Sequence, residues 1–150
     1  MSKDVRKIMF QLAEEGHVFR LFSEEEVGRL SSDFKIYNYP AGEIVAKPGE
    51  ALKMMGILVS GEVFLEEKTE LKGNWIVLYD MKRGSILAHP SLFDSEPPPV
   101  RITAQQDTVF LGIDGASFDR ILQEHPQIGI TFLKEIIRVL FISPGAWRPA

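Results

Sequence analysis

The chain has no cysteine. That excludes a disulfide framework, thiolate metal ligands and a cysteine nucleophile. Positive charge is also in short supply. Lys and Arg total 17 against 21 Asp and Glu, a formal net charge of −4, whereas a nucleic-acid surface needs clustered Lys and Arg. Long apolar runs are missing as well. The stretch from Val139 to Trp147 is broken by Pro144 and Gly145, far short of the roughly 20 residues needed to span a bilayer. The first residues mix charged and apolar side chains and carry no signal-peptide pattern. The three histidines, His17, His89 and His125, show no HxH or HExxH metal spacing. No Gly-rich P-loop and no Ser-His-Asp order suggests an enzyme. What remains is 150 residues, 45% apolar and 25% charged, an ordinary globular composition. The expectation is one soluble, cytoplasmic domain that is not an enzyme and binds neither nucleic acid nor membrane.

Local patterns divide the chain into three parts. Val5, Ile8, Met9 and Leu12 recur at three- and four-residue spacing, the period of one helix face, and Gly16 is a natural stop. Ser23 followed by Glu26 has the capping-box spacing for a second helix. From Lys35 short apolar runs alternate with Pro-Ala-Gly, Pro-Gly and Ser-Gly turns at intervals of about ten residues, the cadence of a β-sandwich or barrel. Gly42, Gly49 and Gly61 stand where tight turns need positive φ. WIVLYDM and TVFLGID add two more strands. Helical spacing returns after Ala116, with Pro126 as a break or an opening residue. The organisation expected is an N-terminal helical segment over 1–36, a mainly β unit over 37–114, C-terminal helices over 115–142 and an irregular tail over 143–150.

Three stretches carry a family resemblance: LFSEEEVGRLSS, YPAGEIVAKPGEALKMMGILVSGEV, and VFLGIDGASFDRILQEHPQIGITFLKEIIRVL. Together they resemble the cyclic nucleotide-binding domain, whose members include the regulatory subunit of protein kinase A and the catabolite activator protein. The resemblance implies a β-roll of jelly-roll type, with helices before it and two after it, acting as a binding module. It also implies a phosphate-binding cassette between Gly84 and Thr103: a Gly-Glu pair, a short helix, then Pro-Arg-Ala-Ala. In the family the helix amides and the Arg hold the cyclic phosphate, and the Glu accepts from the ribose 2′-hydroxyl.

Placed on that spacing, the Gly-Glu pair falls on Ala88 and His89, and the Arg falls on Pro98. Pro90 and Pro99 remove two further amide donors. A charge-assisted hydrogen bond contributes on the order of 1.5–3 kcal/mol, so losing several together disfavours cAMP and cGMP as ligands, and no cofactor is expected. The family-equivalent pocket comprises Gly84, Leu87, Ala88, His89, Pro90, Ser91, Pro98, Pro99, Val100, Arg101 and Thr103. His89 reads as a cap before a helix-opening proline. Arg101 is the one nearby cation, directed by strand alternation to the opposite face. Around the pocket Ile57, Val59, Val63, Leu87, Leu92 and Ile102 form an apolar wall, with Phe93 a candidate to fill the cavity and Ser91 and Thr103 its hydroxyls.

The last helix is apolar on more than one face, with only Thr131, Lys134, Glu135 and Arg138 polar between Ile130 and Ile142. The surplus predicts burial against a second copy or a partner protein. The alternative is that Phe141 and Trp147 fold back as a lid. Without a recognition helix or a basic face, this stretch does not read DNA by itself. The function expected is a stand-alone regulatory or signalling module acting through protein contacts. The rivals are a sensor of cyclic nucleotide or another effector through a different pocket, and a jelly-roll metal protein.

Overall fold

The computed structural model describes residues 2–71, 73–93 and 96–142. Helix α1 (Ser2–Glu14) ends before Gly16, whose φ is +83°. Helix α2 (Glu24–Ser31) opens on the expected capping box: the Glu26 N–H donates to Ser23 Oγ and Glu26 Oε1 accepts from the Ser23 N–H. Eight strands follow: β1 (Lys35–Tyr39), β2 (Ile44–Ala46), β3 (Met55–Ser60), β4 (Val63–Lys68), β5 (Trp75–Met81), β6 (Ile86–Leu87), β7 (Val100–Ala104) and β8 (Thr108–Ile113). They form two antiparallel four-stranded sheets, ordered β1-β8-β3-β6 and β2-β7-β4-β5. Helices α3 (Gly115–Glu124) and α4 (Pro126–Ile142) close the described chain, and Pro126 is the opening residue of α4. The β-roll with flanking helices is the architecture expected, with β1 beginning at Lys35, slightly before the boundary drawn from sequence.

The turns follow from backbone chemistry. Gly42, Gly49 and Gly61 all have positive φ. Gly61 (φ +96°) shows why: a Cβ there would stand 2.6 Å from the Asp107 carbonyl oxygen and 2.5 Å from Thr108 Oγ1. The β3–β4 turn is wedged against the start of β8.

Apolar side chains sort into two cores. One lies between the sheets and contains Ala46, Met54, Leu58, Val63, Met81, Leu87, Ile102 and Phe110. The other lies between the first sheet and the helices, around Phe19, Phe34, Phe118 and Phe132. There Phe34 meets Phe19 and Phe132 edge-on, each at 5.6 Å between centroids, a favoured aromatic geometry.

One buried charge fastens the helices. Glu135 is only 3% exposed and sits on the inward face of α4. Its carboxylate pairs with the Arg20 guanidinium, 2.9 Å from Nε, and accepts from Arg20 Nη2 at 3.3 Å and from Arg138 Nε at 3.0 Å; Arg138 also donates to the Gly16 carbonyl at 2.8 Å. The α1–α2 connection is thereby tied to α4. Replacing Glu135 with Gln leaves two guanidinium groups without their anion. The expected loss, read by urea unfolding, is about 2–3 kcal/mol.

Candidate functional site

The cassette segment begins at Gly84, where φ is +90° and a Cβ would stand 2.2 Å from a ring carbon of His17. The imidazole thus packs directly on the glycine. Strand β6 follows, then a single 3-10 turn, Pro90–Leu92, with His89 as its N-cap. His89 Nδ1 accepts from the Ser91 N–H at 3.0 Å. The next amides are used within the turn: Leu92 N–H donates to the His89 carbonyl and Phe93 N–H to that of Pro90. Ser91 is buried, and its Oγ accepts from the Leu52 N–H at 3.2 Å. Beyond the turn, the Pro98 carbonyl accepts from the Gly49 N–H at 3.2 Å. Proline removes the amide of Pro90, and those of Ser91, Leu92 and Phe93 are already bonded.

The expected pocket residues divide among three environments. Val63, Leu87 and Ile102 face the space between the sheets, where they pack with Leu58, Met81 and Phe110 in one continuous cluster. Val100 packs on its edge, as do Tyr37 and Tyr39, whose phenol pKa values are raised by burial. Ile57, Val59 and Leu92 do not share that wall: they pack on the helix-side core, with Ala88 beside them. Phe93 does not fill the roll either. Its ring is 47% exposed and lies 6.2 Å from the ring of Phe118. A 3-10 turn superposes residues three apart, so Phe93 falls over the exposed Pro90 rather than inside.

Arg101 and Thr103 are carried to the outer face of the second sheet, as strand alternation requires. Arg101 is no free cation there. It donates to Glu66 at 3.2 Å, its cross-strand partner on β4, and its guanidinium lies 4.0 Å over the Trp75 ring. This Glu66–Arg101–Trp75 stack was not foreseen, since only the pairing register of β4 with β5 and β7 assembles it. Thr103 Oγ1 is buried and has no hydrogen-bond partner among the described residues. The pocket residues expected from the cassette therefore do not line one cavity. Trp147, the other half of the lid alternative, lies outside the described residues.

A second concave surface runs between β5 and the end of α4, about 630 Å³ in volume, lined by His17, Leu78, Lys82, Arg83 and Ile142 among others. Its strongest cation is engaged. Arg83 makes two hydrogen bonds to Glu15, at 2.7 and 2.8 Å, and one to the Val59 carbonyl at 2.7 Å. The same arginine holds the Glu15 carboxyl below the usual carboxylate range. Among the described residues no three His, Asp or Glu side chains gather as metal ligands, and no helix is long and apolar enough to cross a membrane.

The roll, its helices and the position of the turn can now be set beside known proteins. The family model described as cyclic nucleotide-binding domain matches residues 36–125, more than half of the chain. The chain belongs to the cyclic nucleotide-binding domain family. Solved structures agree on the fold. A cyclic nucleotide-binding domain from Methylobacillus flagellatus is 23% identical with a TM-score of 0.72, over 80% of this chain and 67% of that one. The catabolite activator protein of Thermus thermophilus is 23% identical with a TM-score of 0.68, over 83% of this chain and 58% of that one. The sensor domain of the transcriptional regulator DNR from Pseudomonas aeruginosa is 20% identical with a TM-score of 0.67, over 90% of each chain. No curated protein matches the chain.

The hydrogen bond from the Leu52 amide to Ser91 is a long-range polar contact that pins the cassette turn to the roll. Ser91→Ala leaves a buried amide unpaired, and the expected destabilisation in urea is about 1–3 kcal/mol.

Proposed function

We propose that this domain is a non-catalytic regulatory module in which the nucleotide-binding fold serves as a scaffold for protein contacts, and that it associates with itself through α4. The observation that carries the first half is the amide inventory of the cassette turn. The Ser91 amide is bonded to the His89 ring, the two that follow are bonded within the turn, and Pro98 stands where the family's arginine would be. Anion recognition by a helix start needs free N–H groups and, for tight binding, a paired cation. The space between the sheets supports the same reading. Leu58, Val63 and Phe110 are fully buried there, and Met81 and Ile102 nearly so.

The second half rests on the outer face of α4. Ile130, Leu133 and Ile137 recur at three- and four-residue spacing and are 39%, 36% and 58% exposed. A helix on a monomer turns polar side chains to water, and a row at this spacing packs into the matching row of a second helix. Relatives of this fold include the N-terminal domain of a transcriptional regulator from Streptomyces coelicolor and the sensor domain of DNR. A role in which a regulator's input domain sets its association state suits such neighbours.

Titration calorimetry with cAMP and with cGMP is expected to show no binding at micromolar concentrations. A micromolar dissociation constant for either would overturn the scaffold reading. In light scattering the protein is expected as a dimer, and Ile137→Asp as a folded monomer, since a charge placed in a paired apolar row opposes its partner copy.

A further inference from the structure

The exposed apolar row of α4 does not stop at the helix. Leu133 also lines a shallow groove of about 640 Å³, together with Leu92, Phe93, Phe118, Asp119 and Leu122. Two of these, Leu92 and Phe93, belong to the end of the cassette turn, so a single apolar surface runs from the outer face of α4 onto the cassette. Gly115 makes the junction possible. A Cβ at that position would stand 2.8 Å from the Leu92 carbonyl oxygen, so only glycine lets the start of α3 lie directly against the turn.

Phe93 is the unusual member. It is a large aromatic side chain, nearly half exposed, on the segment that in nucleotide-binding relatives would face a ligand. Aromatic anchors in pockets flanked by aliphatic side chains concentrate the energy of protein interfaces. The charges around the groove fit a second copy of the same chain. Asp119 lines the groove and makes no ion pair among the described residues. Lys134, next to Leu133 on the exposed side of α4, makes none either. In a two-fold assembly each copy presents the same patch to the other, so the lysine of one and the aspartate of the other complement each other twice.

We infer that the cassette turn is part of the self-association surface: Phe93 packs against the α4 of a second copy, and Asp119 receives Lys134 of that copy. This rests on the proposed self-association through α4 and extends it to a segment remote in sequence. The cassette then contributes an apolar knob to the dimer in place of a cradle for phosphate. Occupancy of the partner surface, rather than of a nucleotide pocket, sets the state of this turn.

The test is sedimentation equilibrium on the full chain, with far-UV circular dichroism confirming that each variant is folded. Phe93→Ser is expected to raise the dimer dissociation constant about tenfold or more. Asp119→Lys and Lys134→Glu are each expected to raise it several-fold, and the double variant to restore it to near the parent value, as an ion pair with its signs exchanged should. The charge variants keep the test decisive should Phe93→Ser fail to fold. A parent protein that dimerises, is dissociated by Ile137→Asp and is unaffected by Phe93→Ser and Asp119→Lys would overturn the inference while leaving α4 association intact. A parent protein that stays monomeric at high concentration would overturn both.

Discussion

Strand β3 is the constraint on which the other elements depend, because it is buried on both sides at once. Met55 and Ile57 face the helices, while Met54, just before the strand, and Leu58 face the space between the sheets. The two cores share this one strand as their common wall, and it is paired on both edges, with β8 and β6. Such a position leaves little freedom in side-chain size. Gly56 and Gly112 lie opposite each other in the β3–β8 pairing, and a Cβ on either would come within 2.9 Å of Met54 Sδ. Close packing of this kind transmits a change in volume to its neighbours rather than absorbing it. The cassette turn follows the partner strand β6, and α4 packs on the same helix-side core as Leu92 of that turn, so both rest on the same wall.

The state of the cassette follows from its hydrogen-bond inventory more than from its shape. A phosphate cradle works by leaving backbone donors unsatisfied until an anion arrives. Here the His89 ring supplies an acceptor itself, through Nδ1 to the Ser91 amide. Ser91 in turn satisfies the Leu52 amide. The Ser91, Leu92 and Phe93 amides are thus paired within the protein. A buried polar group that has a partner contributes rigidity, and one awaiting a partner costs stability in its absence. The bonds that occupy the Ser91 and Leu52 amides therefore also hold the turn to the roll.

Much of this was legible in the sequence because its signals are local. The Ser23–Glu26 capping box, the positive-φ glycines and the strands WIVLYDM and TVFLGI each depend on a few neighbouring residues, and each appears where those residues stand. The inward wall was legible only in part. Alternation says that Ile57 and Val59 share a face, but on a strand buried on both sides it does not say which core they join. The place of Phe93 depended on whether the turn was α-helical or 3-10, a difference of one hydrogen-bond register that three residues do not reveal. The Glu66–Arg101–Trp75 stack and the Arg20–Glu135–Arg138 cluster join residues far apart in sequence, and no local pattern announces either.

The distribution of exposed apolar surface gives these features a common logic. The space between the sheets is filled by the protein's own side chains, Leu58, Val63 and Phe110 among them. Large apolar side chains remain in water on the outer face of α4 and at the end of the cassette turn, as they do on β5, and the first two adjoin along one groove. Glu135 holds α4 by its inward face, with two arginines fixing the helix against the α1–α2 connection. That clamp presents the outward row in one fixed orientation, and a preorganised surface binds with less loss of freedom than a mobile one. The buried charge on one side of the helix and the apolar row on the other are thus complementary parts of one arrangement. The first fixes where the helix lies, and the second determines what it can meet there.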